Sequence, residues 1–347
     1  MDLSAKITGI RYKPFLCAKL KSFAFKDLKR ALATNAVFIL NIDRENSIAV
    51  SWWVSAKRTR SYPYARVYDT LNFAGKKITI IPVVKDEGKE GDRDFLQWDT
   101  ISLMSLLGVY VIIGYYVDAE RSTRYRHKIT NQRFDVPYIK RKIKEILSYQ
   151  SDALHWNLSQ IDKVGDICQK ALESYGKISR KKKVEMHSKT SAEKRIEQLQ
   201  EGKDKFMSLS RQLAEMAQRR ESVTEQPKEY LSGAKGIITI KNYLGGFYYF
   251  TVDEIELKGE DVYLIEAKHS KGSLPSIGDI KDGLIKMILF TNLENVKMDD
   301  QNYNPKPILK LTAENHFDSE SLNTTQRKVL ELLHKEAISN GFGVRII

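Results

Sequence analysis

The sequence has few residues that cross-link small domains and no long apolar run. Its 2 cysteines in 347 residues are too few for a disulfide framework, a cysteine metal site or a four-cysteine iron–sulfur cluster. The longest apolar stretch, residues 103–116, is shorter than a membrane span and suits a buried helix and strand. The opening segment MDLSAKITGIRYK lacks the apolar centre of a signal peptide. We therefore expect a protein of the reducing cytoplasm without a membrane partner.

A nucleotide-binding signature is also missing, whereas positive charge is abundant. No GxxxxGK[ST] motif occurs, which argues against an ATP-driven motor. The 57 lysines and arginines outnumber the 44 aspartates and glutamates and give a net charge of +13. Such an excess favours a polyanionic partner, and nucleic acid before a membrane surface.

The first half of the chain predicts a separate α/β domain, which we place at residues 1–178. Its pattern of strands and helices is loosely similar to that of the C-terminal part of the chain. One interpretation is therefore a decayed duplicate of that part, and a DNA-recognition domain is the interpretation we prefer. Runs rich in β-branched and aromatic residues predict the strands, and apolar periodicity predicts the helices. The strands are predicted at 36–42, 47–55, 64–71, 77–84 and 109–117, with a helix at about 94–107 and largely helical structure over 134–175.

Two basic segments of this half favour contact with DNA. Arg58 and Arg60 lie near Trp52, Tyr62 and Tyr64, a mixture suited to phosphates and exposed bases, with packed tryptophans beside a solvated loop as the equal alternative. The second segment is dense in like charges, which repel one another unless an anion binds. Its cations are Arg121, Arg124, Arg126, Lys128, Arg133, Lys140, Arg141, Lys142 and Lys144.

Residues 179–226 predict a charged helical linker that ends at Pro227. A thin apolar stripe recurs in it at near-heptad spacing. The stripe is either a packing surface within the chain or an interface of a homodimer, and a dimer would bring two active sites to the two strands of a duplex. Its members are Ala192, Ile196, Leu199, Phe206, Leu213 and Ala217.

The most informative segment is a hairpin over residues 250–270, FTVDEIELKGEDVYLIEAKHS. A two-residue turn at Gly259 sets a register in which Asp253 faces Glu266. One face of the hairpin is then apolar and ends on Asp253, Glu266 and Lys268. Burial of such charges is costly unless they are paired or bind a metal, so this end predicts a metal-dependent phosphodiesterase site. The other face is polar and is expected to be solvated: Glu254, Glu256, Lys258, Asp261 and Tyr263.

Asp253, followed by Glu266-Ala267-Lys268 at the end of an apolar strand, resembles the motif of the PD-(D/E)XK nuclease superfamily, best known from type II restriction endonucleases. Val252 stands where the motif has its proline. The resemblance covers roughly the last third of the chain. It implies that Asp253, Glu266 and the Ala267 carbonyl hold Mg²⁺, and that Lys268 helps to orient and deprotonate the attacking water. It also implies in-line attack that leaves a 5′-phosphate and a 3′-hydroxyl.

The segments around the hairpin complete a predicted catalytic domain at residues 227–347. Its fold class is α/β (α+β), a mixed-sheet, restriction-endonuclease-like core preceded by the α/β domain and the helical linker. Lys281 and Lys286 lie off the apolar stripe of the helix, where contact with a phosphate and simple solvation are the two interpretations, and we expect both to be solvated. The predicted elements are strands at 237–240 and 247–252, the hairpin, a helix capped by Ser276, a strand at 307–312 and a helix at 319–340.

Together these patterns predict a magnesium-dependent endonuclease that hydrolyses double-stranded DNA. A type II restriction enzyme, with a cognate DNA methyltransferase that acts separately, is the preferred form. A repair or mobile-element nuclease of the same fold, directed by DNA structure, is the second enzyme hypothesis. The third hypothesis is a basic DNA-binding protein whose hairpin acids are structural.

Overall fold

A computed structural model describes residues 1–56, 61–188, 190, 234–243, 247–314 and 322–347. The chain divides into two compact units. The N-terminal unit is Lys19–Ser210, and the C-terminal unit joins Met1–Ala18 to Arg211–Ile347. The apolar stripe predicted for the linker, like Pro227 at its end, lies outside the described residues.

Strand β1 (Asp2–Ile7) belongs to the C-terminal unit, and the elements that follow it along the chain form the N-terminal unit. The strands are β2 (Ser22–Ala24), β3 (Val37–Asn41), β4 (Ser47–Trp52), β5 (Lys77–Pro82), β6 (Val84–Asp86), β7 (Arg93–Phe95), β8 (Val109–Gly114), β9 (Tyr116–Arg121) and β10 (Ile129–Phe134). The helices are α1 (Leu28–Thr34), α2 (Ser61–Tyr68), α3 (Trp98–Leu106), α4 (Val136–Ser148), α5 (Ala153–Ile161) and α6 (Val164–Lys182).

The main sheet of the N-terminal unit has the strand order β2-β3-β4-β5-β8. Only the β3–β4 hairpin is antiparallel among these neighbours, and the other pairs run parallel. Strand β8 is buried along its whole length, as expected for a parallel strand covered on both faces. The helical prediction for residues 134–175 is confirmed by α4, α5 and α6.

Two predictions for this unit are wrong in type or extent. Residues 64–71 were expected to be a strand, but Ser61–Tyr68 is a helix. Tyr64, Val67 and Tyr68 are all buried, and their spacing puts them on one helical face, which outweighs the strand propensity of tyrosine and valine. The helix expected from about residue 94 begins only at Trp98, because Arg93–Phe95 pairs with β6 instead.

The C-terminal unit is one seven-stranded mixed sheet with two helices among its described residues. After β1 its strands are β11 (Ala234–Asn242), β12 (Phe247–Lys258), β13 (Asp261–Ser270), β14 (Glu294–Met298), β15 (Gln301–Ala313) and β16 (Gly343–Ile346). The helices are α7 (Ile277–Phe290), which connects β13 to β14, and α8 (Thr324–Asn340), which connects β15 to β16.

The strand order is β13-β12-β11-β1-β14-β15-β16, and β13 also pairs with β15. Strands β11, β12 and β13 are successively antiparallel, whereas β15 runs parallel to β13. A parallel pair needs a crossover connection, and α7 lies within that connection. Its inner face packs into the core with Leu284, Ile288 and Phe290 fully buried.

The predicted N-terminal domain begins at residue 1, whereas the structure assigns Met1–Ala18 to the C-terminal unit. Strand β1 pairs in parallel with β11 and antiparallel with β14, and its alternate residues Leu3, Ala5 and Ile7 are buried. Its neighbours in the sheet are thus more than 230 residues away in sequence, a distance at which no local pattern reveals the pairing. Among the described residues, no helix is long and apolar enough to cross a membrane.

Candidate active site

The predicted register of the hairpin is confirmed where the ladder is formed. Leu257 pairs with Val262, and Ile255 pairs with Leu264. The ladder extends to Glu254 and Ile265. Just past this point, the backbone N–H of Ala267 donates to Oδ2 of Asp253 at 2.8 Å, so that the carboxylate of Asp253 is held against β13.

A bulge in β12 accounts for the placement of Asp253. On the β11 side the register shifts by one residue, because Ala234 faces Ile255 whereas Gly236 faces Val252. A bulge of this kind re-aims neighbouring side chains. Gly236 lies opposite the bulge, and a Cβ on it would come within 1.9 Å of Cδ1 of Ile255. A larger residue at position 236 would therefore require the side chain of Ile255 to move.

Glu266 is at the centre of the cluster that forms beside Asp253. It is 1% exposed. Its Oε1 lies 2.8 Å from Nζ of Lys268, and its Oε2 lies 2.6 Å from Nζ of Lys286. A buried carboxylate costs several kcal/mol unless it is paired, and here two ammonium groups share its charge.

Helix α7 brings two further groups to this cluster. Nζ of Lys268 lies 2.6 Å from Oδ2 of Asp282, and Nζ of Lys286 also donates to the Thr251 carbonyl at 3.2 Å. The helix begins at Ser276, whose side chain accepts from the backbone N–H of Asp279, as an N-cap should. The side chains of Lys268, Asp282 and Lys286 keep 13–16% of their surface exposed, so the cluster reaches the surface of the unit.

The two hairpin acids have pKa values that are pushed in opposite directions. Burial and the charge of Glu266 raise the pKa of Asp253 to about 7. Burial alone would also raise the pKa of Glu266, but Lys268 and Lys286 outweigh it and lower that pKa to about 2. Near neutral pH the pair therefore consists of an ionised Glu266 and an Asp253 that is close to its titration midpoint.

The lysines of the cluster are stabilised as ammonium ions. Burial lowers the pKa of Lys268, but the charges of Glu266 and Asp282 outweigh it and leave the pKa raised. The pKa of Lys286 is raised in the same way by Glu266 and Asp253. In this arrangement Lys268 is a hydrogen-bond donor and, as an ammonium ion, has no lone pair that could accept a proton.

The structure brings together Asp253, Glu266 and Lys268, the three predicted catalytic residues. It adds Asp282 and Lys286 to the cluster, which the sequence did not place there. Lys286 was expected to be solvated and is instead paired with Glu266, and Lys281 is also buried. Asp282 was not singled out at all. The available signal was the spacing of Asp282 and Lys286, since residues four apart lie on one helix face.

The polar face of the hairpin is not wholly solvated, contrary to expectation. Glu254 is fully buried and its Oε1 lies 2.6 Å from Nζ of Lys310, which is also buried. Glu256 pairs with Arg345 at 2.9 Å. These partners come from β15 and β16, strands of the same sheet that an isolated hairpin would lack.

The donor chemistry next to Ala267 fits a hard cation. Asp253 and Glu266 supply carboxylate oxygens, and Mg²⁺ is commonly held by one or two carboxylates with water and phosphate oxygens as the remaining ligands. The N–H and C=O of a strand residue point to the same side, so the Ala267 carbonyl is directed to the side on which Asp253 lies. Within the described ranges, no group of three or more His, Cys, Asp or Glu side chains could hold a metal by itself.

The predicted DNA-binding residues lie on two elements of the N-terminal unit. Arg121 ends β9, and Arg124, Arg126 and Lys128 lie in the loop before β10, where only Lys128 is half-buried. Lys140 and Arg141 lie on α4. Lys140 donates to the Lys26 carbonyl at 3.3 Å, and the guanidinium of Arg141 lies 5.9 Å from the ring centroid of Tyr138.

The other predicted basic and aromatic cluster is largely packed. Arg58 and Arg60 lie outside the described residues. Trp53 and Tyr64 are buried and their rings meet edge to face at 5.8 Å, so neither presents a face to a base. The packing of Trp53 agrees with the alternative of packed tryptophans, whereas Trp52 and Tyr62 are half-buried and a DNA contact of Arg58 and Arg60 stays a prediction.

Comparison with protein-family models, with curated proteins and with solved structures gives no match.

Proposed function

We propose that the chain is a magnesium-dependent endonuclease acting on double-stranded DNA, in the manner of a type II restriction enzyme. The observation that carries the proposal is the convergence of Asp253, Glu266 and Lys268 in one cluster at the end of the β12–β13 hairpin. An acid whose pKa is raised next to one whose pKa is lowered is typical of catalytic sites.

The order and direction of the strands around the cluster support this proposal. Three antiparallel strands, β11 to β13, are followed by α7, by the short strand β14 and by β15, which is parallel to β13. With β14 as an inserted strand, this order agrees with the strand, strand, strand, helix, strand arrangement that the resemblance to PD-(D/E)XK nucleases implies. Asp253 and Glu266 lie on the second and third of these strands, as the motif requires.

Magnesium would be held by Asp253, Glu266 and the Ala267 carbonyl. When bound, it would supply an activated water and positive charge next to the phosphate oxygens. Lys268, as an ammonium ion between Glu266 and Asp282, would donate a hydrogen bond to that water or to a phosphate oxygen. Asp282 would keep Lys268 in place and charged.

The charges of the cluster predict that DNA strengthens metal binding. Glu266 and Asp282 are balanced by Lys268 and Lys286, so only ionised Asp253 adds net negative charge. A phosphate at the site supplies both further oxygen ligands and negative charge, which suits Mg²⁺. Metal affinity should therefore be weak for the free protein and higher in its complex with DNA.

A non-catalytic DNA-binding protein is the second candidate, and one observation favours it. Every charge of Glu266, Lys268, Asp282 and Lys286 is paired within the cluster, as in a structural ion network. Such a network stabilises a fold without binding a metal.

Plasmid cleavage with and without Mg²⁺ separates the two candidates. Wild-type protein should cut supercoiled plasmid in Mg²⁺ and be inactive with a chelator present. Glu266→Gln and Lys268→Met should each lose cleavage by at least about a hundredfold, the scale of a lost catalytic group. Discrete bands would favour sequence-specific cutting, and cleavage confined to branched or mismatched DNA would favour the repair alternative.

The buried pair of Glu254 and Lys310 provides matched controls. Glu254→Gln and Lys310→Met remove equally buried charges from the opposite face of the same sheet. These variants should lose stability but retain cleavage at temperatures where they are folded. If Glu266→Gln is as active as wild type, the proposed active site is wrong. If wild type cuts no DNA in the presence of Mg²⁺, the nuclease proposal is rejected, and in both cases the cluster is a structural ion network.

A further inference from the structure

The hairpin of β9 and β10 ends in a loop, residues 122–128, that surrounds one exposed aromatic ring with cations. Tyr125 is 51% exposed. The guanidinium of Arg124 lies 5.3 Å from the centroid of its ring, and Nζ of Lys128 lies 5.4 Å from it. Both distances are within the range of cation–π attraction, so the ring and the two cations form one surface.

Charges are balanced at the base of this hairpin but not at its tip. Arg133 pairs with Asp118 at 2.6 Å and with Glu120 at 2.7 Å. Lys182 lies 3.8 Å from Asp118. Around the tip, the described part of the chain places no carboxylate within ion-pairing distance of four cations: Arg121, Arg124, Arg126 and Lys128.

Hydrogen bonds within the loop hold the backbone that carries the ring. The Ser122 hydroxyl accepts from the backbone N–H of Tyr125 at 3.1 Å. The backbone N–H of Ser122 donates to the Lys128 carbonyl, and that of Lys128 donates to the Tyr125 carbonyl. Nε of Arg121 donates to the Arg126 carbonyl at 3.1 Å. Because the backbone of the loop is already ordered, binding costs less chain entropy.

We propose that Tyr125 stacks on an unpaired base of a nucleic acid while the cations of the loop hold the phosphates on either side. An aromatic ring set in a positively charged surface is the arrangement that binds single-stranded segments. A base inside a regular duplex has no free face to offer. The inference rests on the proposed function only because it assumes that the polyanionic partner is a nucleic acid. It assigns to the N-terminal unit a preference for frayed, bulged or single-stranded sites.

The test measures binding of full-length protein to fluorescein-labelled oligothymidylate, which does not form base pairs, and to a blunt-ended duplex of two annealed complementary strands. Tyr125→Ala should weaken binding to oligothymidylate by roughly 5- to 150-fold, and Tyr125→Phe should restore most of it because the ring is kept. The dependence of affinity on salt should be the same for Tyr125→Ala and wild type, since no phosphate contact is lost. Binding of the blunt duplex should change by less than about twofold.

Tyr243, which is 52% exposed in the C-terminal unit, provides the matched control, and Tyr243→Ala should bind oligothymidylate as wild type does. In a second measurement, Tyr125→Trp places an exposed indole at the tip, and its emission should be quenched when oligothymidylate binds. Unchanged affinity of Tyr125→Ala, an equal loss on the blunt duplex, or unquenched emission of Tyr125→Trp would overturn the proposal.

Phosphatidylserine vesicles test whether the loop binds an anionic membrane instead, because such a membrane surface also attracts tyrosine and cations. Loss of vesicle binding in Tyr125→Ala with unchanged oligothymidylate binding would assign the loop to a membrane and overturn the proposal. The proposed nuclease function fails on a different readout, plasmid cleavage. If the protein binds oligothymidylate through Tyr125 but does not cut DNA, the inference about the loop stands and the proposed nuclease function is rejected.

Discussion

Glu266 is the residue on which the charges of the candidate site converge. Its two oxygens are paired with Lys268 and Lys286, and its own charge is one of the causes that raise the pKa of Asp253. Each group therefore affects the protonation of the next, and substitutions at single positions should have separable signatures in stability, metal binding and cleavage.

The raised pKa of Asp253 predicts that metal-free protein becomes less stable as the pH rises through about 7. A carboxyl whose pKa is higher in the folded state stabilises the fold fully below its ordinary value of 3.8, and that contribution is lost as the pH rises through about 7. With a chelator present, the melting temperature should fall by a few degrees between about pH 6 and pH 8. Asp253→Asn cannot ionise and should remove this fall.

Magnesium should counteract the same loss, because it competes with the proton for Asp253. A pH profile of Asp253→Asn that matches wild type would show that another group is responsible. The measurement is differential scanning calorimetry at a series of pH values.

Lys286→Met should make the fold depend on a divalent cation. Removing one partner of a buried ion pair costs about 3–5 kcal/mol, and it leaves Glu266, Asp253 and Asp282 with one ammonium group. Magnesium should therefore raise the melting temperature of Lys286→Met more than that of wild type. Lys310→Met, which breaks a similar pair away from the site, should lose stability and gain no more from magnesium than wild type does. Equal recovery of both variants would contradict a metal site at Glu266.

At the scale of secondary-structure elements, the site depends on a bulge in β12 and on the close approach of α7 to the sheet. Gly283 lies in the middle of α7, where a Cβ would come within 2.6 Å of Cδ1 of Leu309 and 3.3 Å of Cε of Lys268. The helix can therefore pack directly over the aliphatic chain of Lys268, which positions the ammonium group between Glu266 and Asp282.

Gly283→Ala should destabilise the C-terminal unit and displace Lys268. Overpacking costs about 1–3 kcal/mol, partly offset by the better helix propensity of alanine, worth about 1 kcal/mol. Gly278→Ala in the same helix is the control, because its Cβ would meet only Oγ of Ser276, at 3.6 Å. Urea unfolding should show a loss for Gly283→Ala and a neutral or small gain for Gly278→Ala. A gain for both would mean that the helix does not approach β13 this closely.

At the scale of the whole molecule, the candidate active site and the cations of the loop 122–128 belong to different units. The cluster around Glu266 lies in the C-terminal unit, and the loop 122–128 lies in the N-terminal unit. Catalysis and DNA affinity should consequently respond to different substitutions.

Alanine at Arg124, Arg126 and Lys128 together should weaken binding to all DNA sequences and reduce its salt dependence. Each lost phosphate contact reduces the slope of log affinity against log salt by about 0.9 for duplex DNA. Titrations at several salt concentrations measure this slope. A control triple variant removes three exposed cations elsewhere in the same unit, Lys29, Lys170 and Lys177, and should alter the slope less. Equal slopes for wild type and the loop variant would mean that the loop does not contact phosphates.

The sequence by itself determined the local features of this protein, because they depend on neighbours in the chain. Turn chemistry and periodicity predict the hairpin register around Gly259, the N-cap at Ser276 and the helical character of residues 134–175. Tertiary structure decided what depends on distant partners. The burial of Glu254 requires Lys310, the pairing of Glu266 requires Lys286, and the place of β1 requires β11. The charge of a side chain is visible in sequence, but its partner is chosen by the packing of strands and helices that lie far apart in the chain.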